Sequence, residues 1–213
     1  MADDLAQAIA PAHTALAIHD MQNDFCLPGG KIYDRACKHP EMIAGVLREL
    51  AGFTDAARAA GVRVVYLQQM HIAKALDLPE SHIRHLQRAG LAASRDEVPC
   101  IVGSWGHRIV DALKPKADDI VIDKAAMNDF HNSMVDKVLR FQGVQTVLLT
   151  GVSSHAGILG TFFGLIDHGY EFYIPRECVT GYKPELHEAA LKIMGPHVVS
   201  AADVTRAWGR PKA

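Results

Sequence analysis

Thr146-Val-Leu-Leu-Thr-Gly-Val-Ser-Ser-His-Ala-Gly-Ile-Leu-Gly-Thr-Phe-Phe-Gly-Leu-Ile-Asp-His-Gly169 is the stretch that decides the fold. Val147 to Leu149 is a short β-branched and aliphatic run, the pattern of a parallel strand buried on both faces. Gly151 breaks it. Ser153 or Ser154 is placed to cap a helix that runs to about His168 and stops at Gly169. Ile158, Leu159, Phe162, Phe163, Leu165 and Ile166 make that helix apolar almost all round, so it is expected deep in the fold. A strand, turn and helix in this order set backbone N–H groups at the carboxyl end of a sheet, where open α/β sheets bind their ligands. Ser153, Ser154 and His155, polar between two apolar elements, point to a site rather than to a plain buried β-α unit.

Upstream, residues 1–12 read as a loose leader, and Thr14 to Ile18 as the first strand, ending at His19-Asp-Met-Gln-Asn-Asp-Phe25. Residues Pro40 to Ala60 carry Ile43, Val46, Leu47, Leu50, Phe53 and Ala57 at helical spacing, with Gly61 as the stop. Val62 to Leu67 is the second strand. Gln68 to Pro99 is polar and irregular and reads as a helical or looped insertion over the sheet edge. A short helix is expected at His107 to Leu113, a third strand at Ile120 to Ile122, and a helix at Ser133 to Phe141. Downstream, Glu171 to Ile174 is the fifth strand, Pro184 to Met194 a helix and His197 to Ser200 a last short strand. Strands alternate with helices throughout, which predicts a parallel sheet covered on both faces, in the order 3-2-1-4-5-6.

With 213 residues the chain suits one domain, spanning 1–213, with a substantial core. A formal net charge of −2 gives no broad pull toward nucleic acid, and no apolar run approaches bilayer length. Met1-Ala-Asp-Asp lacks the basic start of a secretory signal. Cys26, Cys37, Cys100 and Cys178 are scattered, without metal-ligand pairing, and read as free thiols of a reducing compartment. A soluble cytoplasmic protein without membrane or nucleic-acid partners is the expectation.

Asp20, Lys124 and the turn from Ser153 to Gly157 each fall at or just past the carboxyl end of a separate strand. Such ends converge on one crevice in a doubly wound sheet. A carboxylate and an amine there perturb each other, and either can handle a proton. Taken singly, Asp20 reads as a cap and Lys124 as a loop charge; their equivalent positions favour a joint site.

His19-Asp-Met-Gln-Asn-Asp-Phe25, Lys124 with Phe130 six residues on, and Thr150-Gly-Val-Ser-Ser-His-Ala-Gly157 together resemble the isochorismatase-like hydrolase superfamily, over about Thr14 to Ser200. The resemblance implies a three-layer α/β/α sandwich with a six-stranded parallel sheet. It also implies a non-prolyl cis bond between Val152 and Ser153, and a homodimer or homotetramer. The family's Asp and Lys match Asp20 and Lys124, and its nucleophilic Cys falls on Gly157. A thiolate mechanism needs a side chain there. The true isochorismatases share the pattern of Gly151, Val152, His155 and Gly157, and open a vinyl ether with water, with no covalent nucleophile. By the resemblance, the catalytic set is Asp20, Lys124 and Gly157, and Phe25, Gln69, Met127, Phe130, Ser153, Ser154 and His155 meet the substrate. Arg84 and Arg88 lie in the region of the family's substrate-binding Arg.

No cofactor is implied. The metal site of nicotinamidase-like members would need an Asp-x-His, and Gln69-Met-His71 lacks the acid, so no metal is expected. His71, His82 and His85 read as exposed or lid residues, His131 and His187 as exposed helix ends, and Trp105 as pocket wall or core. The leading expectation is a hydrolase acting on a small organic acid by Asp-assisted water attack, with isochorismate or a related vinyl ether as one candidate. The alternatives are a C–N hydrolase of amide, carbamoyl or ureido substrates whose Cys was lost or replaced, and a non-catalytic binding homologue.

Overall fold

The apolar runs become strands because branched and aliphatic side chains suit a sheet buried on both faces. The computed structural model describes residues 2–209 and contains β1 (Thr14–His19), β2 (Arg63–Gln69), β3 (Ile120–Lys124), β4 (Thr146–Gly151), β5 (Glu171–Pro175) and β6 (Val198–Val199). Neighbouring strands pair in parallel in the order 3-2-1-4-5-6, as the alternation predicts. The helices are α1 (Ala2–Ala8), α2 (Asn23–Cys26), α3 (Lys31–Ala36), α4 (Pro40–Ala60), α5 (Glu80–Arg88), α6 (Val135–Phe141), α7 (Leu159–Asp167), α8 (Pro184–Met194) and α9 (Ala201–Trp208).

Strand periodicity divides the apolar side chains between two layers. Leu16, Ile18, Val64, Tyr66 and Leu148 face Ile43, Val46, Leu50, Phe53 and Ala57 of α4 and Val204 of α9. Ala15, Ala17, Val65, Leu67, Val147 and Leu149 face α6, α7 and α8 through Leu139, Phe162, Leu165 and Leu191. The α4 stripe follows the three-four spacing that keeps one helix face on the sheet. Pro40 opens that helix, and Gly61, at φ 81°, closes it. The insertion after β2 packs a small core of its own from Ala75, Leu78, Ile83, Leu86, Ala92 and Val98.

Five local expectations are corrected. The leader is not loose: α1 lies there, Ile9 is fully buried, and Trp208 Nε1 donates to the Ile9 carbonyl. His107 to Leu113 forms no helix beyond one 3₁₀ turn at Asp111–Leu113, because Asn23 N–H donates to the Arg108 carbonyl and Val110 N–H to that of Met21. The helix after β4 starts with a π turn, Ser154–Ile158, whose Ile158 N–H reaches the Ser153 carbonyl at 3.3 Å. Neither serine caps it. That helix is not buried all round: Phe163 and Ile166 are half exposed, because only the Phe162 and Leu165 side meets the sheet. Finally, α9 went unpredicted; its one fully buried side chain, Val204, gives a weak period. The Val152–Ser153 peptide bond is cis, as expected.

Candidate active site

The segment after β1 shows why the sequence turns as it does. Gln22 donates to the carbonyls of Gln69 and His107 at 2.9 and 2.7 Å and accepts from Gln69 N–H at 2.8 Å. Asn23 donates to the Trp105 carbonyl at 2.8 Å. Asp24 is buried and accepts from the backbone of Lys31 at 2.9 Å and of Cys100 at 2.6 Å. Three consecutive polar side chains thus satisfy buried backbone groups of the surrounding loops, leaving Asp20 and Phe25 to face a cavity of about 450 Å³.

Asp20 follows β1 with φ 52°, a left-handed conformation that a non-glycine residue seldom adopts. Lys124 ends β3 and Gln69 ends β2, so the three meet at one end of the sheet. Lys124 Nζ lies 2.9 Å from Asp20 Oδ1, and donates to Asp20 Oδ2 at 3.1 Å, to Gln69 Oε1 at 3.0 Å and to the Ala126 carbonyl at 3.2 Å. Burial disfavours the ammonium, but the carboxylates of Asp20 and Asp129 outweigh it and raise its pKa.

Two members of this cluster escaped the sequence reading. His19 is fully buried behind Asp20, and its Nδ1 sits 2.6 Å from the Val152 carbonyl, which only accepts; Nδ1 therefore carries the proton. Its Nε2 lies 3.2 Å from Asp129 Oδ1 and 3.3 Å from Lys124 Nζ. Asp129 is also fully buried, 3.4 Å from Lys124 Nζ. Its oxygens accept no hydrogen bond of good geometry, so it is held by the charge of Lys124 and by proximity to the His19 ring. Burial works against its ionisation, but His19 and Lys124 prevail and lower its pKa. Burial likewise works against the His19 imidazolium, and Asp129 and Asp20 prevail and raise its pKa. The available signals were a His directly before Asp20 and an Asp directly before Phe130.

Gly157 lies in the π turn after β4, on the cavity wall. A Cβ there would sit 2.2 Å from His19 Cε1 and 2.6 Å from its Nε2, so the imidazole already fills the space of a side chain at 157. None of the four cysteines lines the cavity. Burial first, then Asp20, pushes the thiols of Cys26 and Cys100 well up.

Of the residues expected to meet substrate, Phe25, Gln69, Met127, Ser153 and His155 line the cavity. Phe130 does not: its ring stacks on His168 at 4.5 Å and packs against the α7 layer. Ser154 does not either: it is fully buried, and its hydroxyl bonds to His187 Nδ1 at 3.1 Å. That bond also makes His187 half-buried rather than an exposed helix end. His155 sits with Nδ1 buried and unpartnered, and burial, then Lys183 and His187, lower its pKa. His71 is not an exposed residue: it is buried, pairs through Nδ1 with Asp77 at 2.6 Å, and its Nε2 meets the Gln69 amide at 3.0 Å. Trp105 is neither pocket wall nor core, being 42% exposed. Arg84 and Arg88 are not among the lining residues; the cavity's cationic side chains are Arg35, Lys38 and Lys183. Among the described residues no group of three His, Cys, Asp or Glu side chains is placed to hold a metal ion.

Known proteins resemble this chain in sequence and in fold. The family model for the isochorismatase domain matches residues 14–206. A ureidoacrylate amidohydrolase, RutB, of Methylobacterium radiotolerans is 31% identical over 191 residues, covering 86% of this chain and 74% of the relative. Among solved structures, an isochorismatase family protein from Desulfovibrio vulgaris aligns with a TM-score of 0.76 at 30% identity, over 92% of this chain and 98% of its own. A cysteine hydrolase from Pseudomonas syringae aligns with a TM-score of 0.78 over 94% of each chain; at 24% identity it speaks for the fold alone.

Proposed function

The chain belongs to the isochorismatase domain family of hydrolases, and from that premise we propose that it hydrolyses a C–N bond of a small ureido, carbamoyl or amide acid without a covalent thiol. The bond class rests on likeness to the amidohydrolase relatives. One observation carries the thiol-free mechanism: the wall at Gly157 has no side chain and no room for one, beside Asp20, which borders the cavity and is paired with the buried Lys124.

In this mechanism Asp20 takes a proton from water, whose oxygen adds to the substrate carbonyl carbon. The C–N bond then breaks, and the proton passes from Asp20 to the leaving nitrogen. Lys124 stays charged, holds Asp20 and offsets the negative charge that develops. Gln69, Ser153 and His155 orient the substrate. Arg35, Lys38 and Lys183 on the wall, with apolar Phe25, Ile32 and Leu86, suit an acid that carries an apolar part.

A second reading is vinyl-ether hydrolysis of an isochorismate-like acid, favoured by the His155 and Gly157 pattern. There Asp20 protonates the vinyl carbon, water adds to the oxocarbenium ion that results and returns a proton to Asp20, and the C–O bond of the hemiketal then breaks to release pyruvate and the ring alcohol. Assays with ureidoacrylate, carbamoyl amino acids, small amides and isochorismate separate the readings. Ammonia or carbamate release supports the first and pyruvate release the second. Saturable binding of any of these acids with no product would replace both with a binding homologue. Thiol alkylation should leave turnover intact; its abolition, together with inactivity of the matching Cys→Ala variant, would restore a thiol mechanism.

Free cysteines support a reducing compartment, which we take to be the cytoplasm. The described residues contain no helix long and apolar enough to cross a membrane. The half-exposed Phe163 and Ile166 on α7 and Ile193 on α8 support self-association as a homodimer or homotetramer.

A further inference from the structure

We propose that His19 is the residue that stands in for a covalent nucleophile: its ring fills the volume of a side chain at 157, and, paired with Asp129, it serves as a second fixed positive charge beside Asp20. For its catalytic consequence the inference rests on the thiol-free reading above.

The steric half follows from the ring's anchorage. A Cβ added to Gly157 would meet three ring atoms, at 2.2, 2.6 and 3.2 Å. A flexible chain end would swing aside, but this ring is fully buried, hydrogen-bonded at Nδ1 and enclosed at Nε2 by Asp129 and Lys124. Nδ1 donates to the Val152 carbonyl at 2.6 Å, and Nε2 faces Asp129 Oδ1 at 3.2 Å. Nor is the imidazole open to the cavity, so it does not touch substrate and is a positioning residue. Gly157 and His19 are thus one device: a bare backbone in front and an aromatic ring behind.

The electrostatic half follows from the arrangement of four charged groups. Asp20 lies 2.9 Å from Lys124 Nζ and 3.3 Å from His19 Nδ1. Asp129 lies 3.4 Å from the same ammonium and 3.2 Å from the same ring. Two carboxylates and two basic groups are therefore packed together, with Lys124 Nζ also 3.3 Å from His19 Nε2, and with all four ionised the cluster is neutral. Without the imidazolium, two buried carboxylates would share one ammonium, which favours protonating one of them. Asp20, the group that borders the cavity, would then lose part of its capacity as a base. His19 keeps it available, with the Val152 carbonyl and Asp129 fixing the ring's position.

The test uses the full-length protein and two readouts that need no turnover. Histidine imidazole nitrogens are labelled with ¹⁵N, and the His19 signals are identified by their loss in His19→Asn. At pH 7 both His19 nitrogens should be protonated; a neutral ring would overturn the charge assignment. Separately, Gly157→Cys is compared with His19→Val combined with Gly157→Cys. The single variant should lose thermal stability and gain no thiol that reacts with iodoacetamide in the native protein. The double variant should recover stability relative to the single one and gain one reactive thiol. A single variant with wild-type melting and a reactive thiol would overturn the steric assignment.

Where turnover is present, His19→Asn keeps the Val152 bond and should lower kcat by about 10–100-fold with KM little changed, moving the acid limb of the pH profile. An unchanged profile would overturn the catalytic role. Absence of turnover on every substrate class counts against the proposed function alone and leaves the nitrogen and thiol readouts to decide the inference.

Discussion

Asp20 occupies left-handed backbone space at φ 52°, and the choice of test variant follows from that. Asn is among the few side chains that tolerate this conformation, so Asp20→Asn keeps the turn and removes only the proton donor and acceptor. We expect kcat to fall by about 10²–10⁴-fold, the range that general acid–base groups contribute, and the melting temperature to fall as well, because the variant leaves the buried Lys124 ammonium one carboxylate short. Retention of more than a tenth of the activity would remove Asp20 from the mechanism. Asp129 makes a different prediction. Its Asn variant leaves two buried cations with one carboxylate, and breaking a buried pair costs about 3–5 kcal/mol. A lowered carboxyl pKa contributes stability that is present above the ordinary Asp value and lost as pH falls through the folded value. The raised His19 pKa works oppositely: its contribution is full below the ordinary histidine value of 6.5 and fades as pH rises through the folded value. Urea melts of wild type and Asp129→Asn should therefore differ most between about pH 4 and 6.5 and converge as pH falls below about 4. A constant gap from pH 7 to 3 would contradict this. At this scale Asp20 and Lys124 were legible because each falls at a strand end, and Gly157 only through the family resemblance. The sequence hid His19 and Asp129, because pairing between residues so far apart in the chain has no local pattern.

The elements were mostly legible where one principle dominated. The helices α4 and α8 appear within their expected bounds, since both combine an initial Pro with a continuous apolar stripe. The first turn after β4 was misjudged because serine before a helix reads as a cap, whereas here Ser154 is drawn away by His187. The glycines of α4 and α7 make a paired prediction. A Cβ at Gly164 would lie 2.4 Å from Asn128 Oδ1 and 2.7 Å from Phe130 Cδ2, so Gly164→Ala should destabilise by about 1–3 kcal/mol through overpacking. A Cβ at Gly52 meets nothing within 4 Å, so Gly52→Ala should stabilise α4 by about 0.5–1 kcal/mol. Denaturant midpoints moving in the same direction for both would break this account of how α7 seats against residues 128–130.

For the whole molecule, the half-exposed apolar side chains on α7 and α8 bear on assembly. Sedimentation at micromolar concentration should give a species of at least two chains, and Phe163→Ser with Ile166→Ser should shift it toward monomer. A wild-type monomer at all concentrations would show that these residues are merely solvated. The cavity raises another matter. Its chemistry stands on the sheet, while His82, Leu86 and Leu91 on its wall come from the insertion, whose own core has only six buried side chains. A unit held by so little opens locally at a lower free energy than the strands do. Backbone amides of Glu80–Arg88 should therefore exchange with deuterium orders of magnitude faster than those of β1 and β4. Equal protection would mean that the insertion unfolds only with the sheet. With faster exchange in the insertion the cavity has two clocks, a slow one for the charged floor and a fast one for the wall, and entry and release would follow the fast clock. A substitution in that wall would accordingly change what the cavity admits, and how fast, while leaving the charged floor as it is.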